Sequence, residues 1–174
     1  MSEAQTALQS LPFVSTASVE TNAFEGKVTI SWRFTGEVAG HGGLVFDENG
    51  ILQVIRIRTI GLLLGEVVDA FGIPEKIWAD YFPGDGVDYN AYLYYPAKGV
   101  VIGTHDKPAG DPLSGTERIT RDLKVYQIQF FASSDIRTFL EEIDQRSQDN
   151  VNYILAHLQP WPGFGDNVIR VEFP

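Results

Sequence analysis

The sequence predicts an α+β domain: an antiparallel sheet from a duplicated α-β-β-β unit, covered by C-terminal helices. Three observations carry that prediction. Alternation of apolar and polar residues recurs from Val28 to Phe131, two sets of these segments resemble each other, and the residues after Phe131 change to helical spacing. Meanders packed against helices answer that order of elements better than a doubly wound sheet does.

Along the chain, Glu3–Leu11 reads as a short helix and the Ser/Thr-rich stretch Ser15–Thr21 as a loose lead-in. Val28-Thr29-Ile30-Ser31-Trp32-Arg33-Phe34 alternates and is β-branched or aromatic at most positions, the pattern of a half-buried strand. Leu44-Val45-Phe46 and Ile51–Ile57 flank Asp47-Glu48-Asn49-Gly50, whose Asn-Gly supplies the positive φ angles of a tight hairpin. From Leu62 to Phe71 the apolar positions Leu63, Val67, Ala70 and Phe71 recur at three and four. Gly72 then caps that helix and Pro74 stops it.

A second β-rich region follows, with strands at Glu75–Trp78, Tyr89–Tyr95 and Gly99–Gly103, a turn at Pro96-Ala97-Lys98-Gly99, a polar loop from Thr104 to Thr116, and a strand over Leu123–Phe131. Ser31-Trp32-Arg33-Phe34, Gly43-Leu44-Val45-Phe46 and Gln53–Ile57 find counterparts in Tyr92-Leu93-Tyr94-Tyr95, Gly99-Val100-Val101-Ile102 and Tyr126–Phe130. The chain therefore divides as one domain over 1–174, with units at roughly 1–58 and 59–131 and C-terminal helices and a strand over 132–174. In that last part Ser133 or Ser134 caps a helix through Phe139, Leu140 and Ile143. Asp149 or Asn150 caps another through Tyr153, Ile154 and Leu158, Pro160 ends it, and Val168–Phe173 is a final strand.

The 174 residues fit one domain able to fold without staples, with 44% hydrophobic and 21% charged residues. With 13 Lys+Arg against 23 Asp+Glu the net charge is -10, which argues against nucleic acid and anionic membranes as partners. Arg56 with Arg58, and Arg118 with Arg121 and Lys124, are short and interrupted by apolar residues, and read as solvated strand edges. The lack of cysteine removes disulfides, thiolate nucleophiles and cysteine metal sites. No run approaches the ~20 apolar residues of a membrane span, and Met1–Ser10 lacks the basic start and apolar core of a signal peptide.

Catalytic constellations are hard to find. His41, His105 and His157 are far apart and never form the i, i+4 pair that places two imidazoles on one metal, so each reads as an ordinary surface residue. His41-Gly42-Gly43 is not accompanied by a Gly-x-Ser-x-Gly elbow, and Ser114 sits in a polar loop, which leaves a hydrolase unsupported. Asp85, Asp88 and Asn90 offer oxygen ligands, but without the closing glutamate of a calcium hand, and Pro83-Gly84-Asp85-Gly86 suits a hairpin loop. Gly61 and Gly65 bracket an apolar run with no Gly-Lys-Ser/Thr after it. No catalytic residue, metal ligand or cofactor is expected.

The compositional oddity is aromatic. Trp78, Tyr81, Phe82, Tyr89, Tyr92, Tyr94 and Tyr95 crowd into eighteen residues, with Tyr92 and Tyr94 on one face of their strand and Leu93 and Tyr95 on the other. One face belongs to the core. The other either exposes aromatics, as protein-binding surfaces do, or is paved by tyrosines that hydrogen-bond at its rim. Trp78, Tyr81, Tyr89, Tyr92 and Tyr94 are the candidate protein-contact residues.

Leu64-Gly65-Glu66-Val67-Val68-Asp69-Ala70-Phe71-Gly72-Ile73-Pro74-Glu75-Lys76-Ile77, a helix ending in Gly-x-Pro before a meander, resembles the signature of small exported proteins related to the outer-membrane-assembly lipoprotein family and to β-lactamase-inhibitor-like modules. Tyr94–Val100 and Trp161-Pro162-Gly163-Phe164-Gly165 look like the same group. The resemblance implies an extracytoplasmic domain, cell-envelope anchored in the full-length protein, that works by contact and supplies no catalytic residues.

The leading expectation is thus a non-enzymatic interaction or scaffold domain that holds another protein. The competing one is a small-ligand-binding protein or enzyme with a pocket between the sheet and the C-terminal helices. A cavity holding His105 or His157 beside a buried carboxylate would favour the second.

Overall fold

The computed structural model describes residues 2–10, 18–24, 26–34, 40–83, 87–106, 115–132, 135–143, 146–165 and 168–171. The first half consists of α1 (Ser2–Gln9), β1 (Glu20–Phe24), β2 (Lys27–Arg33), β3 (Gly40–Phe46) and β4 (Leu52–Thr59). The second begins with α2 (Leu64–Phe71) and continues through β5 (Lys76–Pro83), β6 (Val87–Tyr95), a 3-10 turn at Pro96–Lys98, β7 (Val100–Asp106), β8 (Thr116–Arg118) and β9 (Val125–Phe131). The chain closes with α3 (Ile136–Thr138), a π-helical stretch (Phe139–Ile143), α4 (Gln148–His157), β10 (Gln159–Pro160) and β11 (Val168–Arg170). Among the described residues no helix is long and apolar enough to cross a membrane.

Nine strands form one antiparallel sheet in the order β1-β2-β3-β4-β9-β7-β6-β5-β10, while β8 and β11 pair separately. Each half is a helix followed by a meander, and the two meanders meet where β4 pairs with β9. β1 adds a strand that alternation does not announce. Glu20–Ala23 are exposed, and backbone pairing with β2, from Glu20 opposite Ser31 to Phe24 opposite Lys27, brings the segment into the sheet.

Local chemistry explains the connections. Gly50 adopts φ +77°, and the Asp47 carboxylate accepts the Asn49 and Ile51 N–H groups at 2.9 and 2.8 Å, closing the β3–β4 hairpin. Gly72 (φ +84°) ends α2. The N–H groups at the start of α2, which have no acceptor within the helix, find one outside it: Leu64 donates to the Leu123 carbonyl and Gly65 to that of Arg121, both at 2.8 Å. Ser147, rather than Asp149 or Asn150, caps α4, its Oγ accepting the Asn150 N–H at 3.4 Å. Asp135 caps α3, accepting the Arg137 N–H at 3.1 Å. Ser133, Ser134, Ser114, the Gly84-Asp85-Gly86 turn and the end of the expected last strand lie outside the described residues.

Both faces of the second half are covered. On one, α2 and the β8–β11 ribbon pack Leu64, Val67, Ile119 and Ile169 against Ile77, Leu93, Ile102 and Ile128. On the other, Phe139, Leu140, Val151 and Ile154 of the C-terminal helices cover Val54, Trp78, Tyr94, Val101 and Phe131. In the first half, Leu8 of α1 packs on Ile30, Trp32 and Phe46. Each large apolar side chain removed from water contributes roughly 1.5–3 kcal/mol, so these three clusters hold the layers together.

This double coverage decides between the two readings of the aromatic segment, against an exposed contact face and for side chains that pave the sheet. Trp78, Tyr81, Tyr89 and Tyr94 are only 2–3% exposed. Trp78 and Tyr94 lie beneath the C-terminal helices, and Tyr81 and Tyr89 belong to the core under α2 and the ribbon. Of the five contact candidates Tyr92 alone is half-buried. The alternation itself is as expected, but the β8–β11 ribbon, which begins at Thr116 where the expected polar loop ends, supplies a cover for the opposite face.

Candidate functional site

On the face carrying the C-terminal helices, the central strands change character halfway along. Residues two apart on a strand share a face, so β4 presents Val54, Arg56 and Arg58 in turn, β6 presents Tyr94, Tyr92 and Asn90, and β7 presents Val101, Gly103 and His105. β5 presents Trp78 and then Asp80. The first member of each series lies in the helix-covered core. The helices stop short of the later members, and over them a cleft of about 660 Å³ opens, lined by Arg58, Asp80, Asn90, Tyr92, His105, Tyr126 and Arg146. It extends from β4 to β5, four strand spacings, or roughly 19 Å.

Arg146, between the π-helical stretch and α4, forms the wall on the helix side. Its guanidinium carbon lies 5.6 Å from the centroid of the Trp78 ring, and Trp78 in turn stacks on Tyr92 at 5.4 Å with 20° between the planes. This stack links the apolar end of the face to the cleft.

A chain of side chains crosses the floor. Asn90 Nδ2 donates to Asp80 Oδ1 at 3.3 Å, and Asn90 Oδ1 lies 2.9 Å from His105 Nδ1. A carboxylate only accepts, so the Asn90 amide turns its NH2 toward Asp80, and the Oδ1 left facing His105 requires a hydrogen on Nδ1. His105 Nε2 then faces Asp88 Oδ2 at 3.4 Å. Asp80, Asn90, His105 and Asp88 are thus joined through polar atoms across β5, β6 and β7.

Tyr126 reaches the cleft through a break in register. Gly103 pairs with Gln127 but Thr104 with Val125, leaving Tyr126 as the extra residue of a β-bulge. Its ring passes over Gly103, the Tyr126 hydroxyl lies 3.3 Å from that of Tyr92, and the His105 ring meets it edge-on at 6.4 Å.

Burial, the dominant influence, raises the Asp80 pKa against the lowering effects of Asn90 and Arg146. His41, opposite Arg58 on β3, is shifted down, first by desolvation and then by the Arg58 and Arg33 guanidiniums. Among the described residues no three His, Asp or Glu side chains are grouped to hold a metal ion.

No family model, curated protein or solved structure matches the chain.

Most of the cleft was not read from the sequence. Tyr92 alone of the contact candidates lines it, and His105, exposed as a surface histidine would be, stands on its middle strand. Arg56 and Arg58 are on a central strand instead of a solvated edge, with Arg56 Nε donating to Gln129 Oε1 at 3.2 Å. Arg121 is exposed, as its reading as a solvated residue expects, and it also pairs with Asp69 and lies 5.1 Å from the Phe164 ring centroid. The signal available in the sequence was the same-face change from apolar to polar along successive strands, with a glycine inside one of them.

Proposed function

We propose that this is a small-molecule-binding protein whose site is the cleft on the uncovered half of the sheet. The observation that carries the proposal is the continuous Asp80–Asn90–His105 chain facing a cavity of about 660 Å³ beneath Arg146. That volume falls within the roughly 300–1,000 Å³ of small-molecule sites. The wall offers an acceptor with a raised pKa, an amide, two phenol hydroxyls and two guanidiniums, which is the convergence of polar groups that orients a bound molecule. Asp80, whose pKa is raised by burial, is the group placed to hold a proton toward a ligand there.

Burial of Trp78, Tyr81, Tyr89 and Tyr94 supports this proposal over a protein-contact module, because those side chains have no surface to offer a partner. The test is a fragment screen of mixed charge followed by amide NMR on the full chain. Hits are expected to move the resonances of Asn90, Tyr92, His105 and Tyr126 together. A second, apolar groove is lined by Leu52, Val54, Ile55, Phe130 and Phe131; hits confined to it, or none at all, would reject the cleft as the site.

A further inference from the structure

Resting on that reading, the identity of the ligand can be narrowed by the charge arrangement at the β4 end of the cleft. Arg33 stands opposite His41, His41 opposite Arg58, and Arg58 opposite Gln127 in one cross-strand row. Trp32 packs into the opposite core, which turns its neighbour Arg33 toward the cleft face. Arg33, His41 and Arg58 are all exposed, and among the described residues neither Arg33 nor Arg58 pairs with a carboxylate. Two guanidiniums on the strands either side of His41, in a protein of net charge -10, form a local reversal of sign. A charge on His41 would stand directly opposite both guanidiniums, and directly opposed like charges across a sheet are unfavourable.

The opposite end is balanced. Arg146 acts on Asp80, and Asp88 faces His105. The cleft therefore has a cationic pole at β4, hydroxyls in the middle from Tyr92 and Tyr126, and a hydrogen-bonding end of little net charge at β5 and β6.

We propose that the cleft takes a small organic anion, a phosphate monoester or a carboxylate, whose acid group docks on Arg58 while the rest of the molecule extends over the two tyrosine hydroxyls toward Asn90. Arg58 presents a planar fork of donors that matches either acid group, and Arg33 adds to the field behind it. An anion placed there offsets the repulsion within the row, so occupancy raises the His41 pKa from its depressed value.

The test titrates the full chain with phenyl phosphate, benzoate and benzylamine, read by amide NMR at Arg58, Tyr92 and Tyr126 and by the His41 ring protons across pH. At least one of the two anions is expected to saturate the cleft resonances and shift the His41 midpoint upward, while benzylamine leaves both in place. Arg58→Gln is expected to weaken anion binding about tenfold or more and Arg58→Lys less, since lysine keeps the charge and loses the fork. Arg58 is exposed on its strand, so both variants should fold, and their dispersed spectra check it. If benzylamine moves the cleft resonances as strongly as the anions, or if Arg58→Gln leaves affinity unchanged, the anionic class is overturned while the cleft stands as a binding site. If none of the three probes moves Tyr92 or Tyr126, both the class and the cleft assignment fall.

Discussion

The ring of Tyr126 occupies the space that a side chain on Gly103 would need: a Cβ built on Gly103 comes within 2.8 Å of Tyr126 Cζ and 2.9 Å of its hydroxyl oxygen. Glycine inside a strand weakens it unless something approaches closely, and here the approaching group is the bulged tyrosine of the next strand. Gly103→Ala should push Tyr126 off its position and destabilise the protein by about 1–3 kcal/mol in urea denaturation. In a Tyr126→Ala background the same substitution should be neutral or stabilising, because alanine suits a strand better than glycine once the ring is gone. Equal costs in the two backgrounds would show that the two residues are not coupled.

Asp80 gives the fold a pH dependence of definite sign. Its folded pKa is raised, chiefly by burial, so the fold favours the protonated carboxyl. The contribution is fully present below the unfolded value of about 3.9 and is lost as pH rises through the raised folded value. Asp80→Asn does not titrate. Its stability relative to wild type should therefore climb with pH across that window and level off above it, as followed by urea unfolding from about pH 3.5 to 7. A difference that falls with pH would mean that Arg146 and Asn90 together stabilise the carboxylate more than burial penalises it.

Beneath the other face, Glu117 is 3% exposed and accepts a hydrogen bond at 3.3 Å from the hydroxyl of Tyr81, which is also 3% exposed. Removing that donor with Tyr81→Phe takes away one of the groups that solvates a carboxylate shut off from water. The expected loss is about 1–3 kcal/mol of unfolding free energy. A loss below about 0.3 kcal/mol would mean that other contacts of Glu117 suffice to hold it.

The strands that were legible in the sequence are those whose side chains alternate and whose ends carry turn chemistry. Lys27–Arg33 declares itself through Val28, Ile30 and Trp32, and the β3–β4 hairpin through Asn49-Gly50. β1 left no such mark because Glu20–Ala23 bury little, and backbone pairing to β2 is what makes it a strand. Ser147 was passed over as the α4 cap because Asp149 and Asn150 have equally suitable side chains. Which one caps depends on where the preceding chain turns in, and that is a tertiary matter.

By itself the sequence determined the α+β class, the antiparallel meanders, the helix ending at Gly72 and the assignment of Tyr92 and Tyr94 to one face. Those features follow from local dihedral preference and from period-two or period-3.6 patterning, both written in neighbouring residues. Tertiary structure alone decided that Trp78, Tyr81, Tyr89 and Tyr94 are covered and that Asp80, Asn90, His105, Tyr126 and Arg146 converge. Covering a face and closing a cleft depend on where segments distant in sequence come to rest. The C-terminal helices end partway along the strands, and that edge, which no local pattern specifies, separates the buried core from the open polar site.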